Sequence, residues 1–133
     1  MSDGEHMRPP HGSICWAELV TDDVAAAKDF YANLFGWTMK TSDTTGMQYT
    51  EFMHDGKPIG GMFQKTPEMG PMPTHWGSYV AVDNVDEMSA KVKELGGEIV
   101  MGPMDIPKVG RFCVLKDPTG GVISMITLGG PPA

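Results

Sequence analysis

The sequence predicts an α+β fold built from two βαβββ modules in one domain, and three observations predict it. The first is an internal repeat: Asp23-Val24 and Asn84-Val85, Leu34 and Leu95, and Gly36 and Gly97 all stand 61 residues apart. The second is the order of hydrophobic periods, since each half reads as one strand, one helix and then three short strands. The third is size. A chain of 133 residues buries about two-thirds of its surface on folding, which supports one core without disulfide or metal staples. A repeat this long does not suit a solenoid, whose units are shorter.

The first half opens with an apolar run at 14–20, followed by Thr21-Asp22-Asp23. Those acidic residues suit a helix start, where a side-chain oxygen accepts from backbone donors that have no helical partner. Val24, Ala27, Phe30-Tyr31 and Leu34 then follow at helical spacing, and Gly36 ends the helix. Strands are expected at 37–43, 47–54 and 57–64, separated by turns at Thr45-Gly46 and Asp55-Gly56. In the second half a strand at 76–82 leads to Asn84, with Glu87 placed as a capping-box partner. Val85, Met88, Val92 and Leu95 make the buried stripe, and Gly96-Gly97 stops it. Strands at 98–106, 111–116 and 122–127 complete the module, with Asp117-Pro118-Thr119-Gly120 as the last turn.

These boundaries give a polar, Pro-rich tail at 1–12 that reads as disordered, and a domain at 13–128. Module 1 covers about 13–64, a Pro- and Met-rich linker 65–73, module 2 about 74–128, and a short tail 129–133. The net charge of −7 predicts no nucleic-acid partner, because nothing here would displace phosphate counterions. No apolar run approaches membrane-spanning length, so no membrane partner is expected. Two cysteines in separate apolar runs, Cys15 and Cys113, make no disulfide framework and point to a reducing cytoplasm.

Several segments together carry a family resemblance. They are Val20-Thr21-Asp22-Asp23 with Phe30-Tyr31 and Leu34-Phe35-Gly36, then Val82-Asp83-Asn84 with Leu95-Gly96-Gly97, and the closing Lys116-Asp117-Pro118-Thr119-Gly120. With these the chain resembles the vicinal oxygen chelate superfamily, which includes glyoxalase I, extradiol dioxygenases, fosfomycin-modifying enzymes and bleomycin-binding proteins. Cys15-Trp16-Ala17-Glu18-Leu19, and Asp105-Ile106-Pro107 before Gly110-Arg111-Phe112, are similar to its glyoxalase- or hydroxylase-like branch. The resemblance implies that the modules curl a mixed sheet into a cup with the helices outside, that ligands sit inside it, and that the chain forms a homodimer.

Metal-using members of that superfamily hold a divalent ion with four His, Glu or Gln side chains, one from each of four inward-facing strands. The corresponding positions here are Trp16, Gly60, Gly77 and Ser124. Indole and glycine cannot coordinate a hard cation, and a lone hydroxyl is a poor ligand. No metal or other cofactor is therefore expected.

Strand alternation then names what shares the face of those four positions. Trp16 and Glu18 come from the first strand, His75, Gly77 and Tyr79 from the fifth, Gly60, Met62 and Gln64 from the fourth, and Val122, Ser124 and Ile126 from the eighth. Tyr49, Glu51 and Met53 come from the third, in a looser register. Trp16 serves either as core filling or as a stacking wall for a ligand. Glu18 is either a general acid or base in a partly apolar setting, or the partner of Arg111 or Lys116. His75 is either a proton shuttle or a strand-end histidine beside Trp76. Gly60-Gly61 signals close backbone approach, a bulge or room for a ligand. Arg111 is placed either to hold a ligand carboxylate or in a surface ion pair.

The reading that follows is a metal-free protein that binds a small apolar or aromatic molecule through Trp16, Glu18, Tyr49, Gly60, Met62, His75, Gly77, Tyr79, Arg111 and Ser124. The alternative is a lyase, isomerase or dioxygenase of the same superfamily. Its chemistry would run through Glu18 and His75, metal-free or with a non-standard divalent site.

Overall fold

Each module begins with a strand that ends in a helix cap. In the computed structural model, which describes residues 9–43, 48–106 and 109–129, β1 (Ile14–Thr21) leads to Asp23, whose carboxylate accepts from the Ala26 N–H at 3.0 Å. That bond satisfies one of the donors that a helix start leaves open. Helix α1 follows as Val24–Phe35 and closes at Gly36, where φ is +78°. Strands β2 (Thr38–Ser42), β3 (Tyr49–His54) and β4 (Lys57–Gln64) complete the first module. Asp55 and Gly56, both at positive φ, make the tight β3–β4 turn that an Asp-Gly pair favours. The other expected turn, Thr45-Gly46, lies outside the described residues.

The second module repeats the plan. β5 (His75–Ala81) precedes α2 (Val85–Glu94), where the Asn84 side chain accepts from the Glu87 N–H at 3.1 Å. The Glu87 carboxylate meets the Asn84 side-chain amide at 3.4 Å, so the expected box closes between side chains. β6 (Glu98–Ile106), β7 (Gly110–Lys116) and β8 (Val122–Leu128) follow. The α+β class and the two βαβββ modules are thus as the sequence predicts.

By contact the chain divides into two compact units. Trp16–Gly77 makes one, with strand order β2-β3-β4-β1, antiparallel except for the parallel β1·β4 pair. Its core is Leu19, Phe52 and Met62, covered by Val24, Ala27 and Tyr31 of α1. The described residues on either side, 9–15 and 78–129, make the other, ordered β5-β8-β7-β6 with β5·β8 parallel. Val82, Val85, Cys113 and Met125 are its buried centre, packed by Met88 and Val92 of α2. Burying each such large apolar side chain contributes roughly 1.5–3 kcal/mol.

One segment differs from expectation. The tail was expected to be disordered through residue 12, yet Gly12 donates to the Ala81 carbonyl at 2.7 Å and His11 Nδ1 accepts from the Asp83 N–H at 2.9 Å. Backbone pairing with β5 offsets the ordering entropy that a Pro-rich composition alone would not. The segment 65–73 is also tied down. It holds a short 3-10 turn at Pro67–Met69, and Lys65 pairs with Asp22 at 3.2 Å while donating to the Met72 carbonyl.

Candidate functional site

The face of β1 turned away from α1 carries Trp16 and Glu18, since Leu19 points into the core and neighbouring side chains alternate. Glu18 is the register partner of Gly61, which in turn pairs with Glu51 of β3. Tyr49 lies on the same face, and its ring stacks on Phe63 with centroids 6.4 Å apart. From β3 the Tyr49 ring reaches across β4 to β1. The Trp16 indole N–H donates to its hydroxyl at 2.8 Å, and that hydroxyl donates to the Glu18 carboxylate at 2.9 Å.

Gly61 is what allows that crossing. A Cβ at Gly61 would lie 2.2 Å from the Tyr49 hydroxyl oxygen and 2.4 Å from two ring carbons. β3 and β1 stand about 9–10 Å apart across the intervening strand, so the ring must lie flat over β4. Only a residue without a side chain permits this. The space at Gly61 is therefore filled by Tyr49, and the space at Gly60 by the Ala17 carbonyl, 2.5 Å from where a Cβ would be.

Here the expected faces need correction. Gly60 and Met62 were placed beside Trp16, but they lie on the α1 side: Gly60 pairs with Phe52 and Met62 with Thr50, and Met62 is fully buried in the core. The cause is a bulge. His54↔Lys57 and Met53↔Pro58 pair directly from the turn, and the next pair is Phe52↔Gly60, which leaves Ile59 as the extra residue. One inserted residue moves every later side chain of the strand to the opposite face. Gln64 changes place with them and binds the Asp22 carbonyl and the Val24 N–H at the start of α1. The β4 residue beside Glu18 is thus Gly61 and not Gly60.

Other predicted residues sit elsewhere. His75 is exposed, with Nδ1 2.8 Å from the Pro73 carbonyl, and lines a groove with Phe30, Tyr31 and Trp76 on the α1 side. At Gly77 a Cβ would meet nothing within 4 Å. In the other unit Tyr79 and Ser124 are register partners, half-buried on the face opposite α2. Arg111 of β7 shares the face of Cys113 and reaches α2. Its Nε and Nη2 clamp Asp86 at 3.0 and 3.1 Å, and Nη1 reaches Asp105 at 3.1 Å. Asp86, and then Asp105, raise the Arg111 pKa further. The ion-pair role of Arg111 is the one the structure has, and that pairing commits its guanidinium.

Neither cysteine has the setting of a nucleophile. Cys113 is buried in the α2 core, and burial pushes the Cys15 thiol up. Among the described residues, no three His, Cys, Asp or Glu side chains gather closely enough to hold a metal ion. An indole, whose N–H is here given to Tyr49, and a glycine offer no side-chain ligand to a divalent ion. Sequence reasoning missed Phe63, and it read Gly60-Gly61 as close approach, a bulge or room for a ligand while placing Gly60 instead of Gly61 beside Trp16. The Asp-Gly turn fixes the register of β3 on β4, and the Gly-Gly pair after Ile59 was the available sign of a bulge.

Comparison with known proteins follows the same lines. Residues 13–125 match the family described as the Glyoxalase/Bleomycin resistance protein/Dioxygenase superfamily. The chain belongs to that superfamily. Among this superfamily member's relatives are the anthracycline biosynthesis protein DnrV of Streptomyces peucetius, 37% identical over 127 residues. Protein CFP32 of Mycobacterium tuberculosis (strain CDC 1551 / Oshkosh) is 37% identical over 116. Each match covers 86% of this chain but only 46% and 44% of the relative, so the chain spans under half the length of these proteins. In structure the superfamily member is similar to a Streptomyces coelicolor methylmalonyl-CoA epimerase variant in complex with 2-nitronate-propionyl-CoA. The TM-score is 0.63 at 15% identity, over 90% of this chain and 96% of that one, a likeness of fold. No described helix is long and apolar enough to cross a membrane.

Proposed function

We propose that this glyoxalase-superfamily chain is a metal-free binding protein for a small, partly aromatic molecule, acting as a homodimer in a reducing cytoplasm. The observation that carries the reading is the Trp16–Tyr49–Glu18 hydrogen-bond chain. It fixes the indole plane before any ligand arrives, and a preorganised wall lowers the entropy cost of binding. It also sets a carboxylate beside the ring, which suits a planar ligand bearing an ammonium group or a hydrogen-bond donor. The net charge of −7 favours the same ligand class. Gly77 of the same unit is a further candidate contact.

The test uses an amino-sugar anthracycline as probe, a class chosen because of the DnrV relative. Calorimetric titration should show binding that Trp16→Ala weakens at least ~10-fold, with the circular dichroism kept and the melting temperature lowered by the lost indole bond. Glu18→Gln should weaken the cationic probe and leave a neutral planar analogue unaffected. Equal binding by all three proteins would refute the site.

The Tyr49–Glu18 bond also favours a second reading, an enzyme of the superfamily in which Glu18 moves a proton and Tyr49 orients its carboxylate. Under it Glu18→Gln would abolish turnover while binding stayed nearly intact.

A further inference from the structure

The face of the first unit's sheet turned away from α1 carries charge in a fixed order. Lys40 of β2, Glu51 of β3, Gly61 of β4 and Glu18 of β1 are successive register partners across the four strands. Met39, Phe52 and Leu19, each next in sequence to one of the charged residues, pack in the core under α1. Strand alternation therefore stands Lys40, Glu51 and Glu18 together on the opposite face. Neighbouring strands lie ~5 Å apart, which sets the Glu18 and Glu51 backbones ~10 Å apart and Lys40 ~5 Å beyond Glu51.

Between the two carboxylates the floor is aromatic. The Tyr49 ring lies over Gly61, in the space where a Cβ would stand. Phe63, two residues along β4 on the same face, stacks beside it with planes 28° apart. The two rings pave β4 as one surface, and Trp16 stands at its edge, tied to the Tyr49 hydroxyl. Tyr49, Phe63, Trp16, Glu18 and Glu51 are all half-buried, and Lys40 is exposed. An aromatic floor of this kind stacks a planar ligand, and a carboxylate on either flank favours a cation at each end of it.

We propose that this floor takes a planar aromatic dication, with one cationic group at Glu18 and the other at Glu51. Charge complementarity at both ends of the pavement commits the occupant. The assignment rests on the binding function proposed above and adds a second anchor, Glu51, to its Trp16–Tyr49–Glu18 site. A ligand with a single cationic group uses Glu18 alone. Lys40 opposes the second anchor, because its ammonium stands on the strand next to Glu51 and repels a cation held there. Its removal therefore strengthens the binding of a dication and leaves that of a monocation at Glu18 nearly unchanged.

Calorimetric titration at low ionic strength tests it with two probes, a planar diamidinophenylindole and the same phenylindole carrying one amidine. The unmodified chain should bind the bis-amidine at least ~10-fold more tightly than the mono-amidine. Glu51→Gln should bring the two within ~2-fold of each other. Lys40→Met should widen the ratio at least ~3-fold, a gain that a poorly folded variant does not produce. Glu94→Gln removes an exposed carboxylate from α2 and changes the net charge as Glu51→Gln does. It should leave the ratio within ~2-fold of the unmodified chain. A ratio that falls as far in Glu94→Gln as in Glu51→Gln means attraction by net charge alone and overturns the second anchor. A ratio that neither Glu51→Gln nor Lys40→Met moves, with mono-amidine binding still weakened by Trp16→Ala, overturns the second anchor and leaves the Trp16 site standing. Failure of both probes to bind the unmodified chain overturns the two together.

Discussion

Substituting Gly61 with alanine should undo the Trp16–Tyr49–Glu18 arrangement without touching any of its three members. The new Cβ would lie 2.2 Å from the Tyr49 hydroxyl oxygen and 2.4 Å from the ring, so the ring must leave β4. Both hydrogen bonds then break, the indole bond at 2.8 Å and the carboxylate bond at 2.9 Å. One bond is neutral and one involves a charged group, and both are only part-buried, so together they contribute about 2 kcal/mol. Strain adds roughly 1–2 kcal/mol, and the lower backbone entropy of alanine in a strand returns about 0.5–1 kcal/mol. The net cost is about 2–3 kcal/mol, a fall of roughly 10 °C in Tm for a chain of this length. The assay is a double-mutant cycle by thermal or urea unfolding. In a Tyr49→Ala background the clash is gone, so Gly61→Ala should become slightly stabilising, by about 0.5–1 kcal/mol, a coupling of about 3–4 kcal/mol. A coupling below ~0.5 kcal/mol would refute the reasoning, because additive sites of this kind do not share a contact.

Three further outcomes follow from the same geometry. Arg111→Met should lower Tm at low ionic strength and less so in molar salt, since it removes the Asp86 and Asp105 ion pairs. It should leave probe binding at Trp16 unchanged; a loss of binding would return Arg111 to the ligand site. Cys15 should react with iodoacetamide more slowly than a free cysteine at pH 8, because burial raises its thiol pKa, and faster as the pH is taken higher. The Asp117 carboxylate is held low by hydrogen bonds from the Thr119 hydroxyl and then from the Gly121 and Thr119 amides. A carboxylate depressed on folding stabilises the native state above its unfolded pKa, and the effect is lost as pH falls through the folded value. An NMR titration should therefore place its midpoint below that of a free aspartate, and an ordinary midpoint would show that the turn is not held this way.

Much of this molecule was legible locally. The caps at Asp23 and Asn84, the Asp-Gly turn and the inward stripes of both helices depend on residues within a few positions of each other. Trp16 and Glu18 share a face because a strand alternates, and no distant residue is needed to know it. The family resemblance carried the rest of the outline, since its segments recur in both modules.

What only the tertiary structure decided lies where one strand meets another. The parity of Gly60, Gly61 and Met62 turned on a single extra residue, Ile59, and a period of two makes every later position wrong once one is inserted. Arg111 was ambiguous because local pattern does not show which carboxylates meet its side chain, and the fold brings Asp86 of α2 and Asp105 of β6 to it. The sequence by itself determined which residues form each strand and helix, and that indole and carboxylate face the same way. The bulge and the close approach of Tyr49 over Gly61 decided that the two are joined through one phenol, because pairing between strands distant in sequence is settled by packing and not by local pattern.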